Sequence, residues 1–198
     1  PLPNTTVKDF QSLLHFANSA QIIAQSAAQL ILYTSGTTGL PKGAVPSKKR
    51  IADNLKEFIE YSQDISGGSD KKRHTDSQNR TLLTLPLHHG AGPIAAQQCL
   101  SRGGTLFILD KFNAKTALSI IEEHNITSWS TVPTMLHKVM ALPEGVRART
   151  NVSSLKALSV GAAPVPFVLK QKVIDYFGQC LSESYGMTEI GLATKLKA

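Results

Sequence analysis

The segment YTSGTTGLPKG at residues 33–43 concentrates groups that can hold an anion. Gly36 and Gly39 allow the backbone to adopt positive φ, which brings its N–H groups close to a ligand. Lys42 adds a mobile cation, and hydroxyl donors come from Thr34, Ser35, Thr37 and Thr38. A solvated turn needs neither four hydroxyls nor a Lys placed after a proline, so the segment predicts a concave donor set for an oligophosphate.

The spacing within this segment excludes a Walker A loop. That motif requires G-x-x-x-x-G-K followed by Ser or Thr, with a helix that starts at the Lys. Here Lys42 stands three positions after Gly39, Gly43 follows it, and Pro41 occupies the place where the helix would begin. A phosphate site of the GTPase type is therefore excluded.

The segment resembles the phosphate-binding signature of the adenylate-forming superfamily, which comprises acyl- and aryl-CoA synthetases, luciferases and the adenylation domains of peptide synthetases. The resemblance implies that the loop from Thr34 to Gly39, together with Lys42, binds the β- and γ-phosphates of ATP. It also implies three ligands besides the acid: ATP or AMP, Mg²⁺ and coenzyme A, with a carrier-protein thiol as the alternative acceptor.

A second signature of the superfamily is similar to SESYGMTEIG at residues 182–191. By this resemblance Tyr185 stacks on adenine, Gly186 and Met187 border the nucleotide, and Thr188 contacts the α-phosphate. Glu189 is implied as the Mg²⁺ ligand, which agrees with the preference of this ion for carboxylate and phosphate oxygens. With Lys42 and His89, Thr188 and Glu189 form the predicted catalytic set.

The segment SVGAAPVP at residues 159–166 resembles the adenine-pocket strand and turn of the same superfamily. Small residues at Gly161, Ala162 and Ala163 let a flat base lie against the backbone, and Pro164 is expected to start the following helix. STVPTML at residues 130–136 resembles the segment that borders the carboxylate substrate, which adds Pro133 to the predicted substrate pocket.

Substrate class is indicated by LPLHHGAG at residues 85–92, which resembles the segment lining the acyl tunnel. On that register His89 is the gating histidine, with Gly90 and Gly161 in the pocket wall. His88 and His89 do not suggest a metal site, because adjacent residues at a strand end point to opposite faces. Amino-acid-activating members of the superfamily usually place an Asp near this segment to pair with the α-ammonium group of the substrate. No carboxylate occurs between Thr81 and Leu109, so the resemblance implies a fatty or aryl acid, with an α-amino acid as the alternative.

Composition and charge argue against several other classes of function. The chain has 198 residues and a formal charge of +7, but its basic clusters at 48–50 and 71–74 carry no interleaved aromatic residues, which argues against nucleic-acid binding. Cys99 and Cys180 lack metal-ligand spacing and are expected to be buried thiols. No apolar run is long enough for a membrane span, and we expect a cytoplasmic protein, with the peroxisome as the alternative.

Short β-rich runs alternate with amphipathic stretches, which predicts an α/β fold with a mostly parallel sheet flanked by helices. The resemblance makes this part of the large N-terminal domain of an adenylate-forming enzyme. The predicted strands are 29–33, 81–87, 105–109, 126–130, 157–160 and a segment around Leu181. The predicted helices are 51–61, one after an Asn113 N-cap and one at 168–177 ended by Gly178, and 64–80 is a predicted loop.

We assign residues 1–198 to one partial AMP-binding domain. The resemblance covers residues 25–192, and no part of the chain is similar to the ribose-binding Thr-Gly-Asp element or to the mobile C-terminal domain of the superfamily. We therefore expect the chain to hold the nucleotide-binding core and to be inactive by itself. The alternative is a truncated relative that binds a nucleotide or an acyl ligand without turnover.

Overall fold

The computed structural model describes residues 31–34, 40–45, 79–188 and 191–197. Within these ranges the chain forms a two-stranded hairpin and a six-stranded sheet with helices. In chain order the elements are β1 (Leu32–Thr34), β2 (Lys42–Ala44), β3 (Arg80–Leu83), α1 (Ala91–Leu100), β4 (Thr105–Ile108), α2 (Ala114–Glu123), β5 (Ser128–Thr131), α3 (Pro133–Met140), α4 (Glu144–Arg147), β6 (Ala157–Val160), α5 (Phe167–Phe177), β7 (Leu181–Met187) and β8 (Gly191–Lys197).

The six-stranded sheet has the order β4-β3-β5-β6-β7-β8. Its first five strands are parallel, and β8 pairs antiparallel with β7. The predicted α/β fold with a mostly parallel sheet is confirmed. The strand expected at 81–87 is shorter than predicted and ends at Leu83, since Pro86 has no N–H for a ladder and its carbonyl accepts from the His89 N–H at 3.1 Å in a turn.

One face of the sheet packs on α2, α3 and α5 around the buried side chain of Trp129. The indole Nε1–H donates to Thr84 Oγ1 at 3.0 Å, which satisfies its buried polar atom. The rings of Phe112 and Phe177 lie 6.4 Å and 6.2 Å from that of Trp129, centroid to centroid. This aromatic cluster joins the end of β3 to the middle of β5 and to α5.

Two predicted helices are confirmed with their end signals. Asn113 Oδ1 accepts from the N–H groups of Lys115 and Thr116 at 3.0 Å and 3.1 Å, which caps α2. Helix α5 ends before Gly178, whose φ is 82°. The expectation that Pro164 starts this helix was wrong: α5 begins at Phe167, because the residue before a proline is pushed out of the helical region and Val165 precedes Pro166.

Several observed elements were not predicted from the sequence. They are strands β2 and β8 and helices α1, α3 and α4. Strand β2 and helix α4, with three and four residues, are too short to show a periodic pattern. Several predictions fall outside the described residues. These are the helix at 51–61, the start of the first strand at 29–30, and most of the loop at 64–80; the first 28 residues also lie outside. Arg80, assigned to that loop, is the first residue of β3.

Both cysteines are free thiols. Cys99 is buried as expected, whereas Cys180 is half-buried, and burial raises the pKa of its thiol. Among the described residues, no helix combines the length and apolar character needed to cross a membrane.

Replacing Asn113 with Ala should lower the free energy of unfolding by about 1 kcal/mol, because two N–H groups at the start of α2 lose their acceptor. Urea unfolding followed by circular dichroism measures the change. Asn113→Asp is the matched control, since it keeps the acceptor and should cost less than about 0.5 kcal/mol. Equal stability of the alanine variant and the wild type would contradict the prediction.

Candidate functional site

The carboxyl ends of β3, β5, β6 and β7 meet at one edge of the sheet, because these four strands are parallel neighbours. Ligands of open α/β sheets bind outside this edge. Four of the predicted site segments lie in the chain that follows these strand ends or in the part of β7 that extends beyond β6. They are His88–Gly90, Pro133, Gly161–Pro164 and Tyr185–Thr188. Packing therefore collects segments that lie up to a hundred residues apart in the sequence.

The turn after β6 is built in close contact with β5 and β7. The Gly161 N–H donates to the Thr131 carbonyl at 3.3 Å. A Cβ added at Gly161 would lie 2.7 Å from Ser184 Oγ and 2.9 Å from the Ser184 carbonyl oxygen, so the position has no room for a side chain. Ala162 has a φ of 67°, and Ala162, Ala163 and Pro164 are exposed. The turn thus presents a small, open surface at the edge.

Strand β7 runs past the end of β6 and carries the second signature. Tyr185 is 61% exposed, so its ring is accessible at the edge. Gly186 sits at a register shift against β8, where a Cβ would lie 2.4 Å from the Gly191 carbonyl oxygen. Met187 is exposed and Thr188 is half-buried. Glu189, the predicted Mg²⁺ ligand, lies outside the described residues.

The histidine pair lies in the turn between β3 and α1, and both side chains are exposed. The argument that His88 and His89 point to opposite faces of a strand was wrong, because the strand ends at Leu83. Within the described ranges no three His, Cys, Asp or Glu side chains cluster as a metal site would require. Pro133 is buried as the first residue of α3.

The phosphate-loop segment begins and ends on a β-hairpin. Thr34 and Lys42 are paired across β1 and β2, and Thr34 Oγ1 donates to the Lys42 carbonyl at 3.4 Å. Residues 35–41 connect the two strands, but Ser35, Gly36, Thr37, Thr38 and Gly39 lie outside the described residues. Lys42 is exposed and starts a strand instead of a helix, which agrees with the exclusion of a Walker A loop.

The hairpin approaches the edge of the sheet near the histidine turn. A Cβ built on Gly90, the residue that precedes α1, would lie 3.4 Å from Leu32 Cδ1. Gly90 is half-buried. The base of the hairpin and the predicted pocket wall are therefore neighbours.

Sequence reasoning missed an ion pair at this edge. The Glu183 carboxylate on β7 pairs with Lys170 Nζ on α5, and its Oε1 accepts from the Val165 N–H at 3.2 Å. The hydrogen bond from Lys170 holds the pKa of Glu183 below its ordinary value, and that from Val165 acts in the same direction against the effect of partial burial. Glu183 precedes the residues of its motif that were given a role, and Lys170 lies outside every motif. No signal in the sequence therefore pointed to this ion pair.

Comparisons with known proteins point to one family. The family model for AMP-binding enzymes matches residues 3–197. The 4-coumarate–CoA ligase-like 6 of Arabidopsis thaliana is 32% identical over 174 residues, which is 85% of this chain and 29% of the relative. The chain thus spans about three tenths of the length of the curated relatives it matches.

Two solved structures are similar to this chain. The inhibitor-bound N-terminal domain of FACL13 from Mycobacterium tuberculosis has a TM-score of 0.71 at 26% identity, covering 94% of this chain and 45% of that one. The O-succinylbenzoate coenzyme A synthetase of Bacillus subtilis, in complex with AMP, has a TM-score of 0.66 at 27% identity and covers 84% of this chain and 31% of that one.

Gly161→Ala should lower the free energy of unfolding by about 1–3 kcal/mol, because its Cβ meets both the side chain and the backbone of Ser184. Urea unfolding measures the loss. Gly145→Ala is the matched control: nothing lies within 4 Å of its added Cβ, and we expect no loss of stability. The double variant Gly161→Ala/Ser184→Gly should recover part of the loss, and an undiminished defect would contradict the proposed contact.

The stability of the fold should depend on the charge of Glu183 at acidic pH. Its folded pKa lies below the ordinary 4.5, so the ion pair contributes fully above that value and the contribution is lost as pH falls through the folded pKa. Glu183→Gln should therefore flatten the curve of unfolding free energy against pH below 4.5. Urea titrations at several pH values test this, with Glu144→Gln on α4 as control; parallel curves for wild type and Glu183→Gln would refute it.

Proposed function

The chain belongs to the AMP-binding enzyme family of the adenylate-forming superfamily, and from this premise we propose that its sheet edge binds ATP and activates a carboxylic acid. The predicted fold, that of the N-terminal domain of such an enzyme, is confirmed. The observation that carries the proposal is the convergence of the Gly161–Pro164 turn, Tyr185–Thr188 and the histidine turn on one edge. Small exposed residues beside an accessible aromatic ring suit a flat base.

The proposed reaction has two steps. A carboxylate oxygen of the acid attacks the α-phosphorus of ATP, the bond to the bridging oxygen of the β-phosphate breaks, and pyrophosphate leaves. A thiol of coenzyme A, or of a carrier protein, then loses its proton to solvent and its sulfur attacks the acyl carbon, so that the thioester forms and AMP leaves with the electron pair of the broken bond. Neither step requires a nucleophile from the protein, so the residues act by positioning and by neutralising charge.

The nucleotide contacts are divided among three parts of the chain. The hairpin segment from Thr34 to Gly39 and Lys42 would hold the β- and γ-phosphates through N–H groups, hydroxyls and one cation. The Gly161–Pro164 turn and Tyr185 would enclose adenine, with Gly186 and Met187 beside it. Thr188 would donate to the α-phosphate. The exposure of Lys42 and Tyr185 supports these roles, since both side chains are accessible to a ligand.

Glu189 is the residue we propose for Mg²⁺. This ion takes most of its ligands from water and phosphate oxygens and needs only one or two carboxylates, so the absence of a ligand cluster among the described residues is compatible with it. When bound, the ion would neutralise charge on the phosphates.

We propose a fatty or aryl acid as the substrate. His89, Gly90, Pro133 and Gly161 would border it, and the described chain from β3 to β4 offers no carboxylate to pair with an α-ammonium group. The relatives whose names specify an acid include ligases of 4-coumarate and indoleacetate, both aryl acids. We propose the exposed His89 as a hydrogen-bond donor and gate at the entrance of this pocket.

ATP binding tests the proposal directly. Calorimetry with Mg²⁺ present should detect binding, and Lys42→Ala and Glu189→Gln should each weaken it about 10-fold or more, because each removes a charge-assisted contact. Lys138→Ala on α3 removes the same charge as Lys42→Ala from an exposed site away from the edge and should leave the affinity unchanged. Absence of binding by the folded wild type, or equal losses for both lysine variants, would overturn the nucleotide site.

Pyrophosphate release in the presence of a panel of acids tests the activity. This chain and the complete reading frame that contains it should be compared, with coenzyme A added for thioester detection. We expect release with aryl or fatty acids from the complete frame and little from this chain. Release only with α-amino acids would replace the proposed substrate class by the amino-acid alternative.

A further inference from the structure

Strands β6 and β7 separate at a fork. Val160 and Glu183 are the last paired residues of the two strands. Beyond them the chain of β6 leaves the sheet through the Gly161–Pro164 turn, while β7 continues to Met187 paired only with β8. The turn and Tyr185, which the proposed function assigns to the adenine, are the two arms of this fork.

Side chains from β7 tie the fork together from both faces of the sheet. Ser184 Oγ donates to the Val160 carbonyl at 3.3 Å and fills the space beside Gly161. Glu183 is adjacent to Ser184 and therefore points to the opposite face, where its carboxylate reaches Val165 and Lys170. Tyr185 follows two residues after Glu183, on the strand that the carboxylate braces.

The backbone of the turn depends on this carboxylate. Pro164 and Pro166 have no N–H, so Val165 provides the only amide donor of the three residues. Val165 is 7% exposed, and its N–H has Glu183 Oε1 as acceptor at 3.2 Å. Without the carboxylate this buried donor would be left without the partner that the structure gives it.

Helix α5 does not need the ion pair for its attachment. Leu169, Val173 and Phe177 anchor it in the core around Trp129. The pair joins the first turns of α5 to β7 at the fork, on the side of the turn. Its effect should therefore appear in the position of the turn more than in the packing of the helix.

We propose that Glu183 and Lys170 are positioning residues of the nucleotide site, which hold the Gly161–Pro164 turn at a constant place relative to Tyr185. This inference rests on the proposed function for the identity of the ligand. The contacts themselves belong to the described residues. Nucleotide affinity should consequently depend on two residues that need not touch the nucleotide.

Three variants separate the contacts. Glu183→Ala removes the acceptor and the charge, Glu183→Gln keeps an acceptor for the Val165 N–H, and Lys170→Met removes only the cation. By calorimetry with ATP and Mg²⁺, Glu183→Ala should raise the Kd about 10-fold, and the other two variants about 3-fold. Asp175→Asn is the matched control, since it alters an exposed α5 contact with Gln171, and it should leave the Kd unchanged.

Amide hydrogen exchange without nucleotide provides a second, independent result. Exchange at Val165 should be faster in Glu183→Ala, while amides of the α5 core residues Val173 and Phe177 keep their protection; a general loss of stability would accelerate all of them. The temperature is set where each variant is fully folded.

The outcomes distinguish the two proposals. Wild-type Kd in folded Glu183→Ala, together with a 10-fold loss in Lys42→Ala, overturns the positioning role and leaves the proposed function intact. Failure of the wild type to bind ATP overturns the proposed function and with it the nucleotide role of the pair. If hydrogen exchange at Val165 is unchanged in Glu183→Ala, the Glu183 carboxylate does not hold the turn, and the positioning role is overturned whatever the Kd values are.

Discussion

The parallel pairing of β3, β5, β6 and β7 is the constraint on which the site depends. Parallel neighbours end at the same edge, so every connection that leaves these strands starts there. The pairing is stabilised on one face by the buried indole of Trp129. This indole donates a hydrogen bond to Thr84 and packs near the rings of Phe112 and Phe177. A core built around one strand in the middle of the sheet therefore sets the position of segments that contribute nothing to it.

Regular strand pairing ends at this edge, where β6 separates from β7 and the register between β7 and β8 shifts. Gly161 and Gly186 both occupy places where a Cβ would collide with the backbone of a neighbouring strand. The first allows the turn to lie against Ser184, and the second allows β8 to follow the register shift after Tyr185. Both glycines therefore allow backbone segments to approach closely at the fork.

In the proposed site the hairpin would contribute a different kind of group. Its strands pair antiparallel and place Lys42 opposite Thr34, at the two ends of the connecting segment. Leu32 Cδ1 lies within 3.4 Å of the position that a Cβ on Gly90 would occupy, so the base of this hairpin is near the turn that carries His89. The cation, the aromatic ring, the small turn residues and the histidine of the proposed site thus belong to separate supersecondary units.

The sequence by itself determined the family, most of the strands and the helices with clear end signals, because these depend on contiguous residues. Asn113 and Gly178 act through their own backbone neighbourhood, and YTSGTTGLPKG and SESYGMTEIG are local patterns. Two local signals were misread: the strand toward His89 ends at Leu83 because Pro86 forms a turn, and α5 begins after Pro166 instead of at Pro164.

Only the tertiary structure decided that Glu183 lies between Val165 and Lys170. An ion pair between residues thirteen positions apart on a helix and a strand leaves no periodic trace in the sequence, and its partners become evident only when β6 and β7 are placed side by side.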